Sequence, residues 1–285
     1  MREDTGPTGL GRRRRRLSDE ETERRTLQAA IDMVHRSGLT VSLEHISFEE
    51  VIRKAGVARS AAYRKWPYKD LFFSDLLEEL ARGDSPAIAV PNREAIETIG
   101  KVVLDRLDWL VTPSLRLALA AEVLRRGALD EFETFRSSTA WRTYLALHAT
   151  FVGLPDGRLR DKVQAALGVS ERRLIEGIAM AYERLTGLLG LRLRPDLGIT
   201  FEAFATLANA FVRGLVLSAP TNPDLVNRRT VANPFGAPES AEWSDPALGM
   251  AALATAFIEP DPDVTWDDHR TDELRQALES GSWSR

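Results

Sequence analysis

Apolar residues recur at helical spacing from the first predicted element of this 285-residue chain. Ser18 and Glu21 are placed as a capping box, in which each side chain satisfies the other's unpaired backbone donor, so a helix is predicted to begin there. Gly38 predicts its end. Between these points, apolar residues repeat at i, i+3, i+4 and i+7, which predicts one buried face: Leu27, Ala30, Ile31 and Val34.

Two short helices are predicted next, on either side of a tight turn. Ser47 and Glu50 form a second capping box before a helix over residues 48–55. Gly56 can adopt the left-handed backbone conformation that such a turn requires. A third helix follows over residues 59–66, and the proline after it predicts its end.

Helical spacing continues through the rest of the chain. A fourth helix is predicted over residues 69–82, with a buried side formed by Leu71, Phe72, Leu76, Leu77 and Leu80. Residues 219–242 are rich in Pro, Asn and Gly and are predicted as a loop. No segment shows sustained period-two alternation, so strands are not predicted and the fold class is all-α. The further helices are predicted over residues 93–111, 114–126, 130–151, 158–167, 170–189, 200–217, 247–258 and 272–278.

Residues 51–69 concentrate positive charge: they carry six basic side chains and no acid, in a chain whose net charge is −4. Two short helices around a glycine turn have the geometry that sets the second helix into the major groove of DNA. Basic residues on one small face are typical of proteins that neutralise phosphates, because this releases condensed counterions. The pattern therefore favours double-stranded DNA as a partner.

Particular residue types also fall at fixed offsets in this stretch: Ala55-Gly56-Val57, then Tyr63, then Trp66, then Lys69-Asp70-Leu71. Over about residues 27–80 the sequence resembles the helix-turn-helix of TetR-family transcriptional regulators. The resemblance implies an N-terminal three-helix DNA-binding domain and a larger helical bundle that binds a ligand and dimerises. Ala58 stands where the family pattern has serine, so the third helix is predicted to lack that N-cap.

By this resemblance, residues 59–66 form the recognition helix. Arg64 is the candidate for base readout, since a guanidinium can bind both acceptors on a guanine edge. Tyr63 would hold its hydroxyl at a phosphate, and Lys69 would contact phosphate from a helix N-terminus. Trp66 is interpreted as core, with a DNA contact as the alternative. The predicted DNA-binding residues are Arg59, Ser60, Ala61, Tyr63, Arg64, Lys65 and Lys69.

Charge divides the chain unevenly. Residues 1–69 carry 15 Lys and Arg against 10 Asp and Glu, and the remainder carries 23 against 32. A basic head on an acidic body indicates that only the head meets DNA. The arginine run at residues 12–16 is either part of a solvated tail or an arm that touches DNA. The predicted divisions are a disordered basic arm (1–17), a DNA-binding domain (18–82), a ligand-binding and dimerisation domain (83–220) and a C-terminal extension of loop, one or two helices and acidic tail (221–285).

Composition argues against several other kinds of site. The chain has no cysteine, which excludes disulfides, thiolate nucleophiles and cysteine-based zinc sites. Its four histidines lack metal-ligand spacing, and no P-loop or nucleophile-elbow motif occurs. We therefore expect no metal, no cofactor and no enzymatic activity. No apolar run is expected to reach the ~18–20 residues that a helix needs to cross a bilayer. A cytoplasmic protein without a membrane partner is therefore predicted.

Aromatic residues of the body are either ordinary core or the lining of an apolar ligand pocket. The tentative pocket residues are Trp109, Phe135, Trp141, Tyr144 and His148. The family resemblance implies that the helices predicted over 170–189 and 200–217 form a four-helix dimer interface. Tyr182, Phe204 and Phe211 are its tentative members.

These features together predict a homodimeric transcriptional regulator, a repressor that a small-molecule effector releases from a palindromic operator. Repression is the usual outcome that the resemblance implies, and activators also occur in the family. One alternative is an enzyme or small-molecule-binding protein with an all-helical body and an incidental basic head. Another is an architectural DNA protein, which would need a basic body.

Overall fold

The computed structural model describes residues 17–39, 46–83 and 93–280. The arginine run at 12–16 therefore lies outside the described residues. Within them the chain is mostly α-helical with a few short strands. The first four helices, here called the head, are α1 Asp19–Ser37, α2 Phe48–Ala55, α3 Arg59–Lys65 and α4 Lys69–Arg82.

The head helices begin and end close to where the sequence predicts. The Ser18 hydroxyl accepts a hydrogen bond from the Glu21 amide, and the Ser47 hydroxyl accepts one from the Glu50 amide. The two glutamates bind basic residues of their own helices with their carboxylates, so only half of each predicted capping box is formed. Gly38 ends α1 with a φ of 80°.

The head core is built around Phe48. Its ring lies 4.5 Å from that of Phe72 and 6.1 Å from that of Trp66, and all three are almost fully buried. Leu147, Val163 and Leu167 from later helices belong to the same core. Leu71, predicted as buried, is 49% exposed, because it falls on the outer face of α4.

The remaining helices, residues 93–280, form the body. Two predicted breaks are wrong, because helices run through residues 127–129 and 168–169, where the sequence predicted gaps between helices. One helix continues through Gly127 and another through Gly168, and the predicted helix over 93–111 is interrupted by a change to a tighter 3-10 turn at Leu107–Val111. The body helices are α5 Arg93–Leu104, α6 Pro113–Ser137, α7 Thr139–Val152, α8 Arg158–Leu188, α9 Phe201–Ser218, α10 Pro223–Asn227, α11 Asp245–Phe257 and α12 Asp268–Ser280.

Four short strands correct the prediction of a chain without strands. β1 Leu191–Leu193 pairs antiparallel with β4 Ile258–Pro260, with Arg192 opposite Glu259. β2 Arg229–Ala232 pairs antiparallel with β3 Ala241–Ser244; β2 lies inside the stretch predicted as loop, and β3 begins within it.

The last part of the chain is packed into the body. α11 lies against α6, β4 joins β1, and Trp266, Leu274 and Leu278 are buried with residues of α5 and α6. α11 is capped by Ser244 and carries Pro246 in its first turn. The segment predicted as an extension with one or two helices thus holds three helices and three strands, and α12 is longer than the predicted 272–278.

Candidate nucleic-acid interface

The turn between α2 and α3 presents α3 at the surface. Gly56 has φ 63° and ψ 27°, a left-handed conformation that glycine adopts without a steric penalty. Ala58 offers α3 no side-chain cap, as predicted. Only Ala62 of α3 is buried, so this short helix shows most of its surface to solvent.

One side of α3 is bound to the start of α2. The Arg59 guanidinium donates to the Glu49 carboxylate at 2.8 Å, and the Tyr63 hydroxyl donates to the same carboxylate oxygen. The Arg59 guanidinium also lies 5.5 Å from the centre of the Tyr63 ring. Tyr63 packs its ring against Phe48, at 5.5 Å between centres. Its ring is therefore on the core as predicted, and its hydroxyl has an acidic partner that the sequence did not indicate.

The other side of α3 is bound to the first turns of α1. Arg64 forms an ion pair with Asp19, and Lys65 forms one with Glu23 at 2.7 Å. The hydrogen bond that the Lys65 ammonium donates to Glu23 is the main cause of the raised pKa of Lys65. Each cation of α3 thus has an acidic partner within the head.

The remaining predicted DNA-binding residues lie beside these pairs. Ser60 is exposed and Ala61 is half-buried on α3. Lys69 is exposed in the first turn of α4, and its ammonium lies 5.6 Å from the centre of the Phe73 ring. Trp66 is 1% exposed and its indole N–H donates to Asp75 at 2.8 Å, so it is a core residue.

The described head has no excess of positive charge. Residues 17–83 carry 10 Lys and Arg against 12 Asp and Glu. Residues 17–69 alone carry 9 against 8, so most of the positive balance counted over residues 1–69 comes from the arginine run at 12–16. Sequence reasoning missed the acids that face α3; the i, i+4 spacing of Asp19 and Glu23 marks one face of α1 but does not reveal what that face meets.

In the body, four of the five tentative pocket residues form one aromatic row. The rings of Phe135 and Trp141 stack at 4.2 Å, those of Trp141 and Tyr144 meet at 5.3 Å, and those of Tyr144 and His148 at 4.5 Å. Trp109 belongs to a different apolar cluster, beside Arg106.

The aromatic row ends at a carboxylate that joins three helices, here called the Glu171 cluster: Tyr144, His148, Glu171, Asn209 and Arg213. The Tyr144 hydroxyl donates to Glu171 at 2.5 Å, and Arg213 donates to both carboxylate oxygens at 2.6 and 2.7 Å. The Arg213 guanidinium also lies 4.7 Å from the centre of the Tyr144 ring. Tyr144 and His148 were predicted as pocket residues, whereas Glu171 and Arg213 were not, because they lie on other helices, α8 and α9.

Burial affects the charges of this cluster. It raises the pKa of Glu171, lowers the pKa of His148, and lowers the pKa of Arg213 to about 10. The hydrogen bonds from Arg213 and Tyr144 favour the ionised carboxylate and oppose the shift at Glu171. Arg213 remains charged at neutral pH, so the pair is a partly buried ion pair.

A second carboxyl of the body is unusual because no ion pair compensates it among the described residues. Burial raises the pKa of Glu131, on α6, to about 7. Burial, and secondly the charge of Glu131, also raises the pKa of Tyr182 on α8. Glu131 keeps some accessible surface, so it is not fully enclosed.

The structure puts the tentative interface residues inside the chain. Phe204 is 4% exposed, with its ring 5.0 Å from that of Tyr182 and 5.6 Å from that of Phe257. Phe211 packs against Gly249 of α11, where an added Cβ would meet its ring at 2.3 Å. Phe204 is therefore packed within one copy, whereas Tyr182 and Phe211 are only partly buried there.

A different face of α9 is both exposed and apolar. Five exposed positions follow one another at i, i+4, i+7, i+11 and i+14: Ala203, Leu207, Ala210, Gly214 and Leu217. Met180 of α8 is also 56% exposed. In the part of the chain that the structure describes, α9 alone meets the length and composition of a membrane span, with a mean hydropathy of 1.2. Its opposite face is buried in the body core through Ala205, Ala208, Val212 and Val216.

Helix α8 connects the head to the body. Its first half carries Val163 and Leu167 into the head core, and its second half carries Leu174 and Ile178 into the body core. Lys162 of α8 donates to Glu78 of α4 at 2.7 Å. Glu171 follows Lys162 on the same helix, about two and a half turns further along.

No group of His, Asp or Glu that could hold a metal ion occurs among the described residues.

Comparisons with known proteins identify no family for this chain. No protein-family model matches the chain, and no curated protein matches it. Among solved structures it is similar to a crystal structure of the reduced form of E. coli NemR, with 14% identity, 84% of this chain and 99% of that chain covered, and a TM-score of 0.41. A likeness this distant supports no statement about this chain.

Proposed function

We propose that this chain is a DNA-binding transcriptional regulator of the type that its TetR-like motif implies. The observation that carries the proposal is the pair α2 and α3, joined at a left-handed Gly56, with α3 exposed and bearing Arg59, Arg64 and Lys65. A helix held in this way can enter a major groove, where Arg64 can bind a guanine edge. The arm with its arginine run would supply phosphate contacts that the helices of the head lack in excess.

The protein would act as a homodimer through the exposed apolar stripe of α9. A helix that is apolar on two opposite faces exposes one of them to water unless a partner covers it. We propose the stripe through Leu207 and Leu217 as the interface in place of the residues expected from sequence, because both leucines are exposed. Two heads related by such a two-fold interface would read a palindromic operator.

The body would bind a small-molecule effector and thereby change operator affinity. The support is that α7 and α8 each contact both the head and the Glu171 cluster. An effector that binds one arrangement of these helices better shifts the population toward it. We propose a repressor released by its effector, without enzymatic activity, in the cytoplasm.

A mobility-shift assay with DNA from immediately upstream of the protein's own gene tests the DNA-binding proposal. The expected result is a shifted complex that a scrambled duplex of equal composition does not give. Equal binding to both duplexes, or binding to neither at low salt, would contradict it.

Changing Leu207 to Asp tests the dimer. In the dimer the new carboxylate would lie against the same carboxylate of the second copy, so sedimentation should show a monomer. This monomer should also have lost specific DNA binding. Leu197→Asp is the matched control, because Leu197 is 44% exposed and Leu207 is 45% exposed, and Leu197 lies outside α9. A Leu207→Asp variant that stays dimeric would remove α9 from the interface.

A further inference from the structure

Three acids of the head stand where DNA phosphates would be expected to bind the cations of α3. They are here called the counter-acids: Asp19, Glu23 and Glu49. Asp19 and Glu23 lie one helical turn apart on α1 and face one side of α3. Glu49 lies in the first turn of α2 and faces the other side.

These pairs are at the surface and are not a buried structural network. The side chains of Arg59, Arg64 and Lys65 are 70%, 49% and 37% exposed in their respective pairs. Ion pairs with this exposure are individually weak, so a phosphate or a base edge can replace the carboxylate. The carboxylate then remains close to the bound DNA and repels the nearby phosphates.

Resting on the proposed function, we propose that the counter-acids determine specificity by restraining the binding of α3 to random DNA. On random DNA the favourable free energy of binding comes from the counterions that phosphates release when protein cations neutralise them. A cation that is already paired with a carboxylate releases few of these counterions. At a matching site α3 also bonds base edges, which offsets the loss of the ion pairs. The acids therefore weaken random binding more than operator binding and widen the ratio between them.

A purely positioning role makes the opposite prediction. If Glu49 served only to orient Arg59 and Tyr63 for DNA, its loss would let these side chains move and would weaken the operator complex. If it restrains phosphate binding, its loss strengthens the complex with random DNA. The sign of the change separates the two roles.

The experiment compares Glu49→Gln, Asp19→Asn with Glu23→Gln, and the triple variant with the unaltered protein. Each binds a random-sequence duplex and a duplex that the unaltered protein selects from a random pool, across a range of salt concentrations. Glu20→Gln is the matched control, because Glu20 is an exposed acid in the first turn of α1 that has no cation of α3 as partner among the described contacts. Circular dichroism verifies that each variant is folded.

We expect random-duplex affinity to rise roughly threefold for each neutralised acid, as the loss of a surface charge contact implies. The salt slope of log K for this duplex should steepen by up to about one unit per acid. The selected duplex should gain less, so the specificity ratio falls, and Glu20→Gln should change neither.

A triple variant that binds random DNA no more tightly than Glu20→Gln overturns the proposal, and so does a loss of affinity for both duplexes. Failure of the DNA-binding function itself has a different result, since then neither the unaltered protein nor any variant binds or enriches a duplex at low salt.

Discussion

The molecule contains two acid–base networks that differ in exposure. In the head, the paired side chains of α3, α1 and α2 are between 34% and 70% exposed. In the Glu171 cluster of the body, the charged side chains are between 21% and 29% exposed, and one carboxylate on α8 accepts from partners on α7 and α9. Water and salt weaken the first network, while desolvation makes the second depend on complete pairing.

The difference indicates different roles for the same chemistry. The surface ion pairs of the head need little free energy to separate, so their cations can exchange a carboxylate for a phosphate when DNA binds. A carboxylate bound by Arg213, Tyr144 and Asn209 fixes the positions of the helices that carry them. We therefore expect substitutions in the body cluster to change stability, and substitutions in the head pairs to change DNA binding.

The largest expected effect is the loss of stability that Glu171→Ala causes. It leaves the partly buried guanidinium of Arg213 and the Tyr144 hydroxyl without their acceptor, so the free energy of unfolding should fall by about 2–4 kcal/mol. Urea unfolding of Glu171→Ala and of the head variant Glu49→Ala measures the contrast directly, and Glu49→Ala should cost less than about 1 kcal/mol.

Adding Arg213→Ala to Glu171→Ala should cost less than the sum of the two single changes, because the two residues are directly bonded. Equal losses in the free energy of unfolding for Glu171→Ala and Glu49→Ala would contradict the proposed difference between the two networks.

Removal of residues 1–16 should be next in size, and it acts on DNA binding alone. The described head is nearly balanced in charge, so the arginine run at 12–16 carries the excess that phosphates would neutralise. DNA affinity at ~50 mM salt should fall about tenfold or more, while the unfolding curve stays unchanged because Ser18 caps α1.

A full-length variant with glutamine at all five positions of 12–16 should match the truncated protein. If truncated and full-length proteins bind equally at low salt, the run is a solvated tail and the paired cations of α3 suffice.

Glu131→Gln should change the free energy of unfolding less than Glu171→Ala does, and it should raise that free energy rather than lower it. Burial raises the pKa of Glu131 from 4.5 to about 7, so the folded protein holds its proton over a range in which the unfolded chain has lost it. Stability therefore falls as pH rises from about 4.5 to 7 and remains lower above that. Since the side chain keeps some exposure, Glu131→Gln should add about 1–2 kcal/mol at about pH 8 and almost nothing at about pH 4.

Thermal unfolding at both pH values measures this difference, with Glu133→Gln on the exposed side of the same helix as the control. An equal change at both pH values would show that folding does not shift the pKa of Glu131.

The head could be predicted from sequence because its signals are local. Ser18, Ser47 and Gly56 each act within a few residues, and the helices begin and end where they indicate. In the body, the cost of a glycine inside a helix, about 1 kcal/mol relative to alanine, is offset by packing on both sides of it. Gly127 and Gly168 therefore do not end α6 and α8.

Contacts between distant residues had no local signal. β1 pairs with β4, and each is three residues long, too short for period-two alternation to be seen. The same holds for the candidate site: residue types predicted an exposed basic helix, whereas the partnership of Arg64 with Asp19 depends on how α1 packs against α3.

The central claim, that α3 reads DNA sequence, is tested most directly by selecting bound sites from a random pool with the unaltered protein and with Arg64→Ala. We expect the unaltered protein to enrich an inverted repeat, and Arg64→Ala to lose preference at one position of each half-site, at a cost of about 1–3 kcal/mol. Arg36→Ala, an equal change of charge at an exposed residue in the last turn of α1, should leave the selected site as it is. An unchanged consensus with Arg64→Ala would show that Arg64 does not read a base, and the absence of any enriched site with the unaltered protein would contradict the account as a whole.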